Sequence, residues 1–160
     1  MAIDPGSRLG RSVQKMAASP TFAKVGPKVM PSLDRLVHRA TGGRVLISRL
    51  MLPALILTTT GRRSGEPRQS PLATVPHDGA FYVVGSNFGR PHHPAWSWNL
   101  LEHPDAEISY DGEHIPVRAE LLDPEEKAAV WPELIATWPL FDLYVQRSGR
   151  DLRVFRLTPR

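Results

Sequence analysis

From residue 45 onward, apolar and β-branched positions come in short runs separated by turn-forming residues. The runs predict strands over about 45–49, 54–60, 68–75, 80–86, 106–111, 114–122 and 152–158. Asp78-Gly79 and Asp111-Gly112 lie between apolar runs and predict tight hairpin turns. Helical patterning is confined to a few places. A helix is expected over about 94–102, with Pro94 near its first turn and Pro104 beyond its end. Asp123-Pro124-Glu125-Glu126 supplies a capping residue, a first-turn proline and a reciprocal glutamate. The helix it starts carries Ala128, Ala129, Val130 and Trp131, and Pro132 and Pro139 are expected to break it into further short pieces. Hairpins interrupted by a few helices imply a mainly β (α+β) fold, a small and partly open barrel. Strands do not alternate with helices, and no Gly-x-Gly-x-x-Gly or P-loop is present, so a doubly wound nucleotide fold is not expected.

The first fifty residues read differently. Arg8, Arg11, Lys15, Lys24, Lys28, Arg35, Arg39, Arg44 and Arg49 far outnumber Asp4 and Asp34. Prolines and glycines (Pro5, Gly6, Pro20, Gly26, Pro27, Pro31) predict a loosely ordered arm. Val29, Leu33, Leu36 and Val37 fall at helical spacing and Gly42-Gly43 supplies a stop, so a short amphipathic helix is expected over about 32–40. The division is thus a basic arm and helix over 1–44 and a barrel domain over 45–160. The helix has two readings: a basic anchor on anionic lipid, or an element packed on the barrel with its cations in water.

At 160 residues, with 41% hydrophobic and 22% charged residues, the chain suits one domain with a real core. No apolar stretch is long enough to span a bilayer and no secretory pattern is visible, so a cytoplasmic location is expected, with attachment to a membrane through the basic N-terminus as its extension. The absence of cysteine excludes disulfides, thiolate metal sites and a cysteine nucleophile. A net charge of +4 calls for an anionic partner: a phosphorylated or polycarboxylated cofactor, an acidic membrane or nucleic acid. Nucleic acid is the weakest of these, because the arginines form no stripe and no zinc-finger, helix-turn-helix or RNA-binding signature occurs.

Three segments carry candidate chemistry. The turn after Leu55–Thr60 gathers Arg62, Arg63 and Ser64 between Gly61 and Gly65, and Arg68 follows. Clustered guanidiniums repel one another but suit forked hydrogen bonds to phosphate or carboxylate. Val83–Gly89 ends a strand in Gly85, Ser86 and Asn87, which allow close backbone approach and hydrogen bonding to a heteroaromatic edge. His93–Asn99 begins a helix with free N–H groups and the flat surfaces of Trp96 and Trp98. His92-His93 makes a poor metal pair, since adjacent side chains diverge and no third ligand is near. A triad of Ser86, His77 and Asp78 lacks a nucleophile-elbow pattern and is rejected.

The order Leu57-Thr58-Thr59-Thr60-Gly61-Arg62-Arg63-Ser64-Gly65, then Pro67-Arg68, Pro71-Leu72, Val84-Gly85-Ser86-Asn87 and Pro94-Ala95-Trp96-Ser97-Trp98-Asn99-Leu100 resembles the deazaflavin-dependent nitroreductase family, including its quinone reductase-like members. The likeness runs from about residue 50 to the C-terminus and takes in His103-Pro104 and Trp131-Pro132; the first fifty residues carry almost none of it. The resemblance implies a split β-barrel of the flavin-reductase and FMN-binding type, with a few peripheral helices. It implies an oxidoreductase that uses reduced coenzyme F420, an 8-hydroxy-5-deazaflavin, to deliver hydride to a quinone or nitroaromatic acceptor. By the same resemblance Arg62, Arg63, Ser64 and Arg68 grip the cofactor's phosphate and glutamate tail. Gln69, Ser70, Pro71, Leu72 and Ala73 lie along the deazaflavin; Val84, Gly85, Ser86 and Asn87 meet the ring; and Ala95, Trp96, Ser97, Trp98 and Asn99 come from the helix start. Trp138, Phe141 and Tyr144 match the substrate wall, and Ser86 and Tyr144 are the candidates for orienting or protonating the acceptor. Tyrosines stand at all three wall positions in the best-known members, and this chain keeps only Tyr144. The loss of two hydroxyls points away from bulky bicyclic nitroimidazoles and toward a flat apolar quinone. An FMN enzyme of the same fold, and a cofactor or lipid carrier without turnover, are the other readings.

Overall fold

The computed structural model describes residues 7–42 and 52–160; the strand expected over 45–49 lies outside them. Seven strands form one antiparallel sheet: β1 (Ala54–Thr60), β2 (Pro67–Ala73), β3 (Val75–His77), β4 (Ala80–Val84), β5 (Asp105–Tyr110), β6 (Glu113–Leu121) and β7 (Val154–Pro159). Their order across the sheet is β2-β1-β5-β6-β7-β4-β3. The expected single run 68–75 is in fact two strands. Thr74 sits between them, its N–H donating to the Pro53 carbonyl at 2.9 Å and its hydroxyl to the Tyr82 carbonyl at 3.1 Å. The chain thereby steps from one edge of the sheet straight to the other, and the sheet curls so that β2 comes near β4. The result is the expected barrel, open along one side.

Both hairpin turns form as the sequence requires. Asp78 and Gly79, and Asp111 and Gly112, all take positive φ, the pairing that matches the twist of two-residue hairpins. Inside the barrel, Leu55, Leu57, Val83, Ile108, Val117, Phe155 and Leu157 are closed off from water. A second core lies outside it, where Val75, Tyr82 and Val154 meet two helices. These are α4 (Pro124–Thr137) and α5 (Leu140–Ser148), which follow α3 (Ala95–Glu102) in the chain. The capping box at α4 is present in both directions, Glu126 N–H to Asp123 at 2.8 Å and Asp123 N–H to Glu126 at 3.2 Å. Pro132 does not interrupt α4, contrary to the sequence expectation. Both it and Ala128, whose carbonyl loses its partner, lie on the exposed side, where the freed carbonyl is open to water.

The N-terminal region departs most from expectation. Instead of a loose arm and one short helix, it forms α1 (Arg8–Ala17) and a 21-residue α2 (Pro20–Ala40). Ser7 and Ser19 cap them, their hydroxyls accepting from Gly10 N–H at 2.9 Å and Phe22 N–H at 3.1 Å. Pro20 falls in the first turn, where its missing N–H costs nothing. Gly26 lets the Phe22 ring lie against the helix, since a Cβ there would come within 2.9 Å of it. Helix α2 lies across β2 and against the turn at Asn87–Gly89, and Phe22 meets Phe88 edge-on at 6.4 Å. Of the two orientations the sequence allowed, the one that packs the apolar residues on the barrel is not the one found. The side toward the protein carries Asp34 and His38, both buried, while Val25, Val29, Leu33 and Leu36 are exposed.

Candidate active site

A cavity of about 260 Å³ opens between β2, the end of β4, α2 and α5. Ser70, Pro71, Leu72 and Ala73 form one wall, where β2 bends toward Thr74. Val84, Ser86 and Asn87 come from the end of β4, and Trp96 from the first turn of α3. Trp138, Phe141 and Tyr144 close the far side. Residues more than seventy positions apart in the chain thus converge on one mostly apolar space. Helix α2 contributes Met30, Pro31, Asp34 and Arg35, none of which the sequence reading anticipated.

Other expected site residues lie outside this cavity. Arg62, Arg63, Ser64 and Arg68 are exposed on the β1–β2 turn and at the start of β2. The Arg62 guanidinium stands 5.3 Å from the centre of the Trp98 ring, and Arg153 covers that ring at 3.9 Å. Such cation–π contacts hold positive charge close to an aromatic face. The turn is tied down from below. Asn99 accepts from Arg62 N–H at 3.1 Å and donates to the Thr59 hydroxyl at 3.0 Å, so its amide is spent within the protein. Ser97 is fully buried and donates to the Pro94 carbonyl at 2.8 Å, while Arg153 donates to it at 3.3 Å. Ala95 is exposed at the start of α3. Arg68 and Gln69 line a separate groove beside α2.

The loop after β4 is strained and braced. Asn87 and Phe88 both take left-handed backbone angles, φ 46° and 56°, which cost a non-glycine residue about 1–2 kcal/mol each. Arg150 holds the loop in place. Its guanidinium donates to the carbonyls of Gly85, Ser86 and Arg90 at 3.0 Å each and meets His93 Nδ1 at 3.1 Å. Gly85 is further fixed by its N–H to the Arg153 carbonyl at 2.7 Å, and Asn87 donates its side-chain N–H to the His92 carbonyl at 2.9 Å. Burial and the nearby Arg153 and Arg150 lower the pKa of His93, so its ring stays neutral as an acceptor for Arg150. Sequence reasoning missed Arg150 and Arg153. The available signal was Arg147-Ser148-Gly149-Arg150-Asp151-Leu152-Arg153, a charged stretch around a helix-ending glycine just before the last strand.

Tyr144 is almost completely buried in the cavity wall, and desolvation raises its phenol pKa against the smaller opposing effect of a Trp138 hydrogen bond. The phenol therefore stays protonated at neutral pH and can donate. No group of three His, Cys, Asp or Glu placed to hold a metal occurs among the described residues.

Comparison with known proteins places this geometry. An F420H(2)-dependent quinone reductase of Mycobacterium tuberculosis, Rv1261c, is 29% identical over 80% of this chain and 89% of its own length. A second protein of that organism, Rv3178, whose name assigns it provisionally to the same activity, is 31% identical over 70% of this chain and 94% of its length. Among solved structures, an F420-H2 dependent reductase (FDR-A) superposes with a TM-score of 0.60 at 31% identity, covering 66% of this chain and 93% of its own. The family profile described as F420H(2)-dependent quinone reductase matches residues 33–159, which include every wall of the cavity except Met30, Pro31 and the two α1–α2 residues Ala17 and Phe22. With the profile, the relatives and the fold in agreement, the chain belongs to the F420H(2)-dependent quinone reductase family.

Proposed function

We propose that the protein oxidises reduced coenzyme F420 and passes the hydride to a quinone, with flat nitroaromatic compounds as a second class of acceptor. The observation that carries this reading is the single cavity that gathers Ser70–Ala73, Val84, Ser86, Asn87 and Trp96 opposite Trp138, Phe141 and Tyr144. Its residues fit the cofactor: apolar walls for the faces of a tricyclic ring, Ser70 and Ser86 for its polar edges, and arginines nearby for an acidic tail. When bound, the deazaflavin supplies a hydride from its central ring carbon.

The protein's own residues bind, orient and exclude water. Pro71, Leu72 and Ala73 provide flat contact on one side, and the aromatic trio confines the acceptor on the other. Arg150 fixes the carbonyls of Gly85 and Ser86, which sets where the Ser86 hydroxyl enters the cavity. The Tyr144 phenol lines the cavity, is held protonated by burial, and on this reading donates to an acceptor oxygen. Arg62, Arg63 and Arg68 supply basic groups for the tail, and Ser64 a hydroxyl.

The test is oxidation of reduced cofactor followed by absorbance with menadione as acceptor. Turnover well above the rate in buffer supports the reading, whereas tight binding without accelerated oxidation makes the protein a carrier. Tyr144→Phe should lower kcat by about 100-fold or more with little change in KM, the size expected of one general acid. An unchanged kcat removes the phenol from the reaction.

We also infer that the α1–α2 face rests on an anionic membrane surface, where apolar quinones reside. Leu9, Met16, Val25, Val29, Leu33 and Leu36 are exposed on these helices, and Arg8, Arg11, Lys15, Lys24 and Lys28 lie among them. Apolar residues flanked by cations suit an interfacial helix. No described helix is long and apolar enough to cross a membrane. Co-sedimentation with vesicles containing phosphatidylglycerol, and not with purely zwitterionic ones, is the expected result; equal recovery with neither would reject the inference.

A further inference from the structure

The last turns of α2 face the outer side of β1 and β2 and the start of β6 across an open groove. Arg35, His38 and Arg39 line it from α2, Arg68 and Gln69 from β2, and His114 from β6. No aspartate or glutamate is among its described walls. Arg35 and Arg39 are one turn apart on the helix, so their side chains lie side by side. His38 is 8% exposed, and its Nδ1 is buried with no hydrogen-bond partner among the described residues.

The groove and the cavity share a strand and a side chain. Arg68 and Gln69 in the groove are followed directly along β2 by Ser70–Ala73 in the cavity, and Arg35 borders both spaces. From Gln69 to Leu72 is about 10 Å at roughly 3.3 Å per residue. One elongated molecule can therefore lie along β2 beneath α2, with a flat apolar end in the cavity and a charged end in the groove.

We propose that this groove seats the acidic tail of the cofactor, with Arg35, Arg39, His38 and His114 as binding residues in addition to Arg68. The proposal rests on the reading of the cavity as the deazaflavin site. Successive carboxylates of a glutamate chain meet guanidiniums spaced along α2, and each pair forms a charge-assisted hydrogen bond. His38 is the most sensitive reporter. Its surroundings are Arg35 and Arg39 on its own helix, Asp34 on the buried side, and His114, which Glu107 of β5 holds at 2.9 Å. Burial and His114 lower its pKa while Asp34 opposes them, so the ring is neutral before a tail arrives and gains a proton when carboxylates fill the groove.

The test compares the complete cofactor with a form truncated before its phosphate, each titrated into the full-length protein. Arg39→Ala should weaken binding of the complete cofactor about tenfold, the loss expected of one charge-assisted pair, and leave the truncated form unaffected. His38, followed by NMR, should show a raised pKa with the complete cofactor and none with the truncated one. Undiminished affinity in Arg39→Ala together with weakening in Arg62→Ala overturns the groove and leaves the cavity assignment standing. Failure of the wild-type protein to bind either form overturns the cavity assignment itself. Binding of inorganic phosphate or phosphatidylglycerol vesicles that Arg39→Ala abolishes, with cofactor affinity unchanged, gives the groove to another anion and also overturns the proposal.

Discussion

Helix α4 buries Val130 and Leu134 and turns Glu125, Glu126 and Ala129 to water, whereas α2 buries Asp34 and His38 and turns Val25, Val29, Leu33 and Leu36 outward. Both helices lie on the same barrel. Apolar burial at about 25 cal/mol per Å² accounts for the first, and the second lacks most of that contribution. What α2 offers instead is proximity of charge and hydrogen-bonding groups to two ligand-sized spaces. The difference separates a helix that holds the fold from one that leaves an apolar stripe exposed, the stripe proposed above to rest on a membrane.

Substitutions that probe the two sides should therefore differ in kind. The largest effect belongs to Leu134→Ala, which removes a fully buried side chain and should cost about 2–5 kcal/mol in urea denaturation. A loss comparable to a surface substitution would mean that α4 is not the fold's anchor. Arg150→Met should come next, at about 2 kcal/mol for several lost hydrogen bonds, with a larger proportional fall in kcat/KM because the Gly85–Asn87 loop is no longer held. Equal activity would show that the loop keeps its shape without the brace.

On the other side, Val29→Asp with Leu36→Asp should change stability by no more than about 0.5 kcal/mol, since both side chains are at least half exposed. The same pair should abolish recovery with anionic vesicles. A large loss of stability would contradict the outward orientation of the stripe. The smallest effect concerns pH. His38 titrates below 6.5 in the folded protein, so the unfolded chain binds its proton first as pH falls. Stability from this source is complete above about pH 6.5 and declines as pH drops through the lowered folded-state pKa. His38→Asn should flatten that decline, and His93, also lowered, should supply what remains.

The barrel was readable because its signals are local. Alternation, the two Asp-Gly turns and the Asp123–Glu126 box each act within a few residues, and each appears where expected. The cavity walls on β2, β4 and α5 were reached through motif order; composition alone would not have joined Leu72 to Phe141. The orientation of α2 was not readable. Val29, Leu33 and Leu36 mark one face of a helix, but periodicity does not state whether that face meets protein or solvent. Arg150 was hidden for another reason: its partners are carbonyls, which every residue possesses, so no side-chain pattern points to them. Pro132 misled because a proline's cost depends on whether water can reach the freed carbonyl.

The step at Thr74 also bears on how the protein behaves in company. Since the two outermost strands are consecutive in the chain, one is only three residues long with Pro76 in its middle, and the other carries Pro67 and Pro71 beneath α2. Neither margin offers an uninterrupted row of unpaired amides to a neighbouring molecule. Intermolecular sheet growth is discouraged at both borders, leaving the protein free to be concentrated on a surface without polymerising through its strands.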